Sequence, residues 1–114
     1  MSFARKFALA VLLIAASGCR SHVIQVMLIN TGPQPVSTIV VDYPGATFGV
    51  DSLAPGKSYR YTIKPTDRGA VKIQFVDAQG GNHTFAGPTV EKGQEGSIEI
   101  RINQGSASAE PSLR

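Results

Sequence analysis

The chain has 114 residues, enough for one small domain behind a leading segment and too few for two. Its formal charge is +3, but Arg5 and Lys6 fall in that leading segment; without them 9 basic residues face 8 acids, and a net +1 gives no nucleic-acid footprint. One cysteine and no tryptophan exclude a disulfide framework and the cysteine–tryptophan core of antibody-type domains.

In chain order, Met1 to Phe7 carries two basic residues and no acid, Ala8 to Ala16 is unbroken apolar sequence, and Ser17 and Gly18 follow. A basic start, a short apolar run and a small-residue cleavage zone are the parts of a secretory signal peptide. A spanning helix needs about 20 apolar residues, and Phe7 to Ala16 supplies half of that.

The run Ala16-Ser17-Gly18-Cys19 resembles the lipobox of bacterial lipoproteins. The resemblance covers about 20 residues and departs from the commonest pattern at Ala16, where leucine is usual. It implies cleavage between Gly18 and Cys19, a diacylglyceryl group on the thiol and acylation of the new amine. Cys19 is then a membrane anchor and not a nucleophile. The alternative is an ordinary secretory cut that leaves a free thiol, an awkward group in an oxidising compartment. Arg20 and Ser21 stand where an aspartate commonly marks retention at the inner membrane. By the same resemblance, the protein is expected on the outer membrane of a double-membrane bacterium, facing the periplasm.

Beyond a linker over 19–22, turn chemistry separates seven segments of strand character over 23–103. His22 to Asn30 is apolar on both faces, as a central strand is. Thr31-Gly32-Pro33-Gln34-Pro35 ends it. Val36 to Tyr43 alternates and stops at Pro44-Gly45. A short strand over Thr47 to Asp51 leads to Pro55-Gly56, a pair suited to the centre of a type II turn. Lys57 to Ile63 places Tyr59, Tyr61 and Ile63 on one side. Val71, Ile73 and Phe75 share a face, and a glycine-containing hairpin loop over Val76 to Asn82 returns the chain to a strand at His83 to Ala86. Ser97 to Asn103 sets Ile98, Ile100 and Ile102 against Glu99 and Arg101. Residues 104–114 are small and polar and read as a flexible tail.

No segment after Cys19 has useful helical periodicity. Strands with one apolar face each need a second sheet, so the expected fold is all-β, a single small antiparallel β-sandwich of about seven strands. The segments "INTGPQPVSTIVVDY", "LAPGKSY" and "IQFVDAQGGNHTF" resemble the immunoglobulin-like and transthyretin-like β-sandwiches of bacterial envelope proteins.

Catalytic signals are absent from the sequence. His22 lies in the linker and His83 reads as an exposed strand residue beside a hairpin; neither makes a metal-ligand spacing with the other. No nucleophile motif occurs. The oxygens of Asp77, Gln79 and Asn82 lack the further carboxylates of a calcium loop, so a plain hairpin is the better reading. The expectation is a non-enzyme with no catalytic residue, metal or cofactor.

Four aromatics are the remaining candidates for a ligand or partner surface: Tyr43, Phe48, Tyr59 and Tyr61. The parity of Tyr59 and Tyr61 with Ile63 puts them in the core with hydroxyls at its rim. Two functions therefore compete. One is a lipid-anchored module that contacts an envelope protein through sheet edges or hairpin tips. The other is a carbohydrate or cell-wall ligand module that needs exposed aromatics. Burial of Tyr59 and Tyr61 discriminates between them.

Overall fold

A computed structural model describes residues 22–114, which form eight strands and no helix. The strands are β1 (Ile24–Asn30), β2 (Val36–Tyr43), β3 (Ala46–Leu53), β4 (Ser58–Ile63), β5 (Gly69–Val76), β6 (Asn82–Val90), β7 (Gly96–Asn103) and β8 (Ser106–Leu113). They pair into two four-stranded sheets, ordered β4-β1-β7-β8 and β3-β2-β5-β6, in a sandwich-like arrangement. Every neighbouring pair is antiparallel except β1 and β7, which run parallel with Ile24 opposite Gly96 and Asn30 opposite Ile102.

Alternation in the sequence becomes alternation in burial. Ile24, Val26 and Leu28 of β1, Val71, Ile73 and Phe75 of β5, and Ile98, Ile100 and Ile102 of β7 are sealed from solvent, while Lys72 and Arg101 are exposed. Both sheets contribute to one continuous cluster. Burying each such side chain contributes roughly 1.5–3 kcal/mol. β2 reaches this core from both of its ends only because an irregularity lies between Ser37 and Val40. There Thr38 adopts φ +50°, which lets Val36 and Ile39, three apart, both point inward.

Residues 104–114, expected as a tail, instead supply β8, which pairs with β7 from Gly96 opposite Leu113 to Asn103 opposite Ser106. The backbone ladder holds it, and only small side chains (Ala107 and Ala109) with Leu113 touch the core. No large apolar alternation was there to read. The strand count is therefore eight, and β6 runs on to Val90 through Pro88, a residue that an edge strand tolerates. The Pro55-Gly56 turn forms as expected: Gly56 has φ +75° and the Lys57 N–H donates to the Ala54 carbonyl at 3.0 Å.

Asn30 is the buried polar residue among these apolar ones. Its Nδ2 donates to the carbonyls of Gln34 (2.8 Å) and Leu53 (2.9 Å), and its Oδ1 accepts from the Gly32 N–H (3.0 Å). Its backbone continues the tie, receiving the Gly56 N–H at 2.8 Å and donating to Lys57 at 3.0 Å. One residue thus joins the β1–β2 loop and the end of β3 through its side chain and the β3–β4 turn through its backbone.

Candidate functional site

Three of the four aromatic candidates, Tyr43, Phe48 and Tyr61, gather where β3 and β4, the edge strands on one side of the sandwich, lie over each other, and Tyr59 stands two residues before Tyr61 on β4. Phe48 of β3 is buried and stacks on Tyr61 of β4, with ring centroids 4.2 Å apart and planes 18° from parallel. Tyr43, at the end of β2, packs partly buried against the core. Burial, and then the neighbouring Tyr61 phenol, push its own phenol above the ordinary value. The expectation that Tyr59 and Tyr61 line the core is corrected in its burial but not in its parity. They stand opposite Leu28 and Val26, both fully buried, yet keep 39% and 37% of their surface exposed. The reason is position: β4 is an edge, so nothing lies beyond the rings to cover them.

The four edges of the sandwich differ in kind. β6 and β8 each contain a proline, Pro88 and Pro111, which has no N–H to offer a fifth strand. β3 and β4 contain none. On β4, every residue from Ser58 to Thr62 is exposed. An aromatic, half-exposed rim therefore flanks a strand edge that remains able to accept a partner.

His83, expected as an exposed strand residue, is corrected too. It faces inward on β6, its ring 5.2 Å from that of Phe75 and its Nε2 2.6 Å from Asp77 Oδ2. Asp77 Oδ1 accepts the N–H groups of Gln79 and Gly81, both at 2.9 Å. The hydrogen bond with His83, then that from Gly81, hold the Asp77 carboxyl below the ordinary value. Of the three side chains that faintly suggested a cation loop, the Asp77 carboxylate is thus engaged in closing the β5–β6 hairpin, while the Gln79 amide donates to Gln34 Oε1 at 2.8 Å. Among the described residues no three His, Cys, Asp or Glu side chains are grouped as metal ligands.

The sandwich end at which β1 begins holds a second feature that the sequence did not signal. His22, Lys64, Pro65, Thr66, Lys92 and Gly93 line an open cavity of about 320 Å³. Its residues come from the start of the described chain and from the loops after β4 and β6, so no local spacing announces it. Cys19 and the preceding Gly18 lie outside the described residues. Among the described residues no helix is long and apolar enough to cross a membrane.

No protein-family model matches the chain, and no curated protein matches it. Among solved structures, it is similar to an NMR structure of a protein from Eubacterium rectale, with a TM-score of 0.58 at 14% identity, covering 79% of this chain and 88% of that one. At that identity the likeness concerns the fold alone.

Proposed function

We propose that this chain is a lipid-anchored protein of the bacterial cell envelope, non-catalytic, that acts as an interaction module through the β3/β4 side of its sandwich. The observation that carries the reading is the contrast between edges. Two are guarded by Pro88 and Pro111, and the β4 edge is open beside the exposed Tyr59 and Tyr61. An extended segment of an envelope protein adds to such an edge by backbone hydrogen bonds, with aromatic contact for selectivity. Cys19 supplies the anchor, and Arg20 and Ser21 favour the outer membrane, facing the periplasm, in a double-membrane bacterium.

Of the two sandwich types that the sequence resembles, the strand order supports the transthyretin-like one. Immunoglobulin constant domains set their first two strands side by side in one sheet, whereas here β1 and β2 belong to different sheets.

The exposure of Tyr59 and Tyr61 also favours the second reading, a carbohydrate or cell-wall ligand stacked on the rings, over what burial would have allowed. A photoreactive residue at Arg60, compared with one at Ser108 on β8, separates the two in cells. A discrete protein adduct from position 60 alone supports strand addition. Equal yields from both positions refute it, and a glycan adduct at position 60 moves the reading to the ligand module. Intact mass of wild type beside Cys19→Ser tests the anchor: diacylglyceryl and acyl groups on Cys19 are expected, and an unmodified mature chain refutes it.

A further inference from the structure

We propose that the sandwich end at which β1 begins carries a binding site for the phosphate of an anionic lipid headgroup, formed by Lys64 and Lys92 around the cavity there. The inference rests on charge accounting at that end. Of its acids, Glu91 pairs with Arg68 at 3.3 Å, while Asp67 accepts only the backbone N–H of Arg68, at 2.8 Å, and keeps its charge. Glu95 lies 3.6 Å from Arg114 and 3.7 Å from His22. Among the described residues, Lys64 and Lys92 are left with no carboxylate within 4.0 Å, and both line the same cavity. No acid lines it, and Thr66 adds a hydroxyl donor. Two lysines and a threonine along an acid-free opening are residue types that can supply the donors of a phosphate site, the lysine stems lining the opening and their ammonium groups reaching solvent at its rim. The loops at the opposite end carry one lysine, Lys57, and one aspartate, Asp77.

The ligand source follows from where the chain leads. His22 lines the cavity and only 20 and 21 separate it from Cys19. At 3.3–3.6 Å per residue that is a reach of roughly 10 Å, about one Debye length at physiological salt. On the reading that Cys19 is acylated, both lysines are therefore delivered to the headgroup layer. Each basic side chain so placed strengthens binding to an anionic surface about fivefold.

The test places the acylated full chain in lipid nanodiscs, of phosphatidylglycerol or of phosphatidylcholine, and maps lysine modification by an amine-reactive ester with mass spectrometry. In phosphatidylglycerol, Lys64 and Lys92 are expected to react about fivefold more slowly than in phosphatidylcholine, with Lys57 unchanged. Equal rates in the two discs, no slower than for the acylated chain in a phosphate-free detergent, overturn the site while leaving the anchor intact, and equal protection in both overturns the preference for an anionic headgroup. Protection by inorganic phosphate in phosphatidylcholine discs, equal to that in phosphatidylglycerol, overturns the lipid source in favour of free phosphate. An unmodified intact mass refutes the anchor instead; vesicles of the same two lipids are then added to the released chain, and the same comparison of Lys64 and Lys92 decides the site.

Discussion

Replacing Asn30 by alanine removes three hydrogen bonds at a point with no solvent access. The Leu53 carbonyl and the Gly32 N–H lose buried bonds, each contributing about 1–1.5 kcal/mol, whereas the part-buried Gln34 carbonyl can turn to water and loses about 0.5 kcal/mol. The expected loss is about 3 kcal/mol, a large share of the 5–15 kcal/mol typical of a domain, or roughly 12–24 °C in Tm at this size. Urea unfolding followed by tyrosine fluorescence and far-UV circular dichroism measures it, since the chain has no tryptophan. The midpoint should fall with an unchanged slope. Asn82→Ala, at an exposed position, serves as the control and should stay within about 0.5 kcal/mol of wild type. Asn30→Asp sharpens the test. It keeps the acceptor for Gly32 but turns a carboxylate toward two carbonyl oxygens, which raises its folded pKa. Its stability is then retained below the unfolded value of about 4 and lost as pH rises through the folded one. A loss under about 1 kcal/mol for Asn30→Ala, or an Asn30→Asp variant equally stable in acid and at neutral pH, would refute the reasoning.

The depressed Asp77 pKa contributes stability above the ordinary carboxylate value of 3.8, lost as pH falls toward the lower folded value. Asp77→Asn should therefore show a shallower acid-induced fall in Tm between about pH 5 and about pH 2; an unchanged slope counts against the Asp77–His83 hydrogen bond. Tyr43 has the opposite sign: its raised phenol stabilises the fold below the ordinary 10.0, and that contribution disappears as pH rises through the folded value. In Tyr43→Phe, the alkaline loss should be smaller, and the tyrosinate step displaced above the ordinary value should vanish from a spectroscopic titration. In the β7–β8 turn, Gln104 holds φ +54°. Gln104→Gly, which adopts that conformation freely, should raise stability by about 1 kcal/mol in thermal melts, and a decrease would indicate that the glutamine side chain makes a stabilising contact.

What was legible in the sequence followed from single-strand chemistry. Ile98, Ile100 and Ile102, or Val71, Ile73 and Phe75, declare a buried face through period-two alternation, and Pro55-Gly56 declares its turn. What was not legible depends on neighbours far along the chain. Tyr59 and Tyr61 have the inward parity of Ile63, but whether a ring on that face is covered depends on β4 being an edge, a property of strand order. β8 carries no such signal, because Ser-Ala-Ser-Ala-Glu-Pro has nothing large to bury and is held by its ladder to β7. His83 looked exposed beside polar Asn82 and Thr84, and its inward direction is set by pairing with Phe75. Asn30 did leave a trace, an asparagine at a strand end before Thr-Gly-Pro, although its reach to Leu53 requires the folded sandwich.

The parallel alignment of β1 with β7 also dictates a timetable for folding. β2–β3 and β5–β6 are hairpins between consecutive strands and can close within microseconds. β1 has no adjacent partner: it waits first for β4 and then for β7, each pairing opposed by the entropy of closing a long loop. Until β7 is available, Ile24–Asn30, with Met27 and Ile29 on its second face, leaves apolar side chains uncovered on both faces. The slow pairing step of folding and an aggregation hazard therefore fall on the same seven residues.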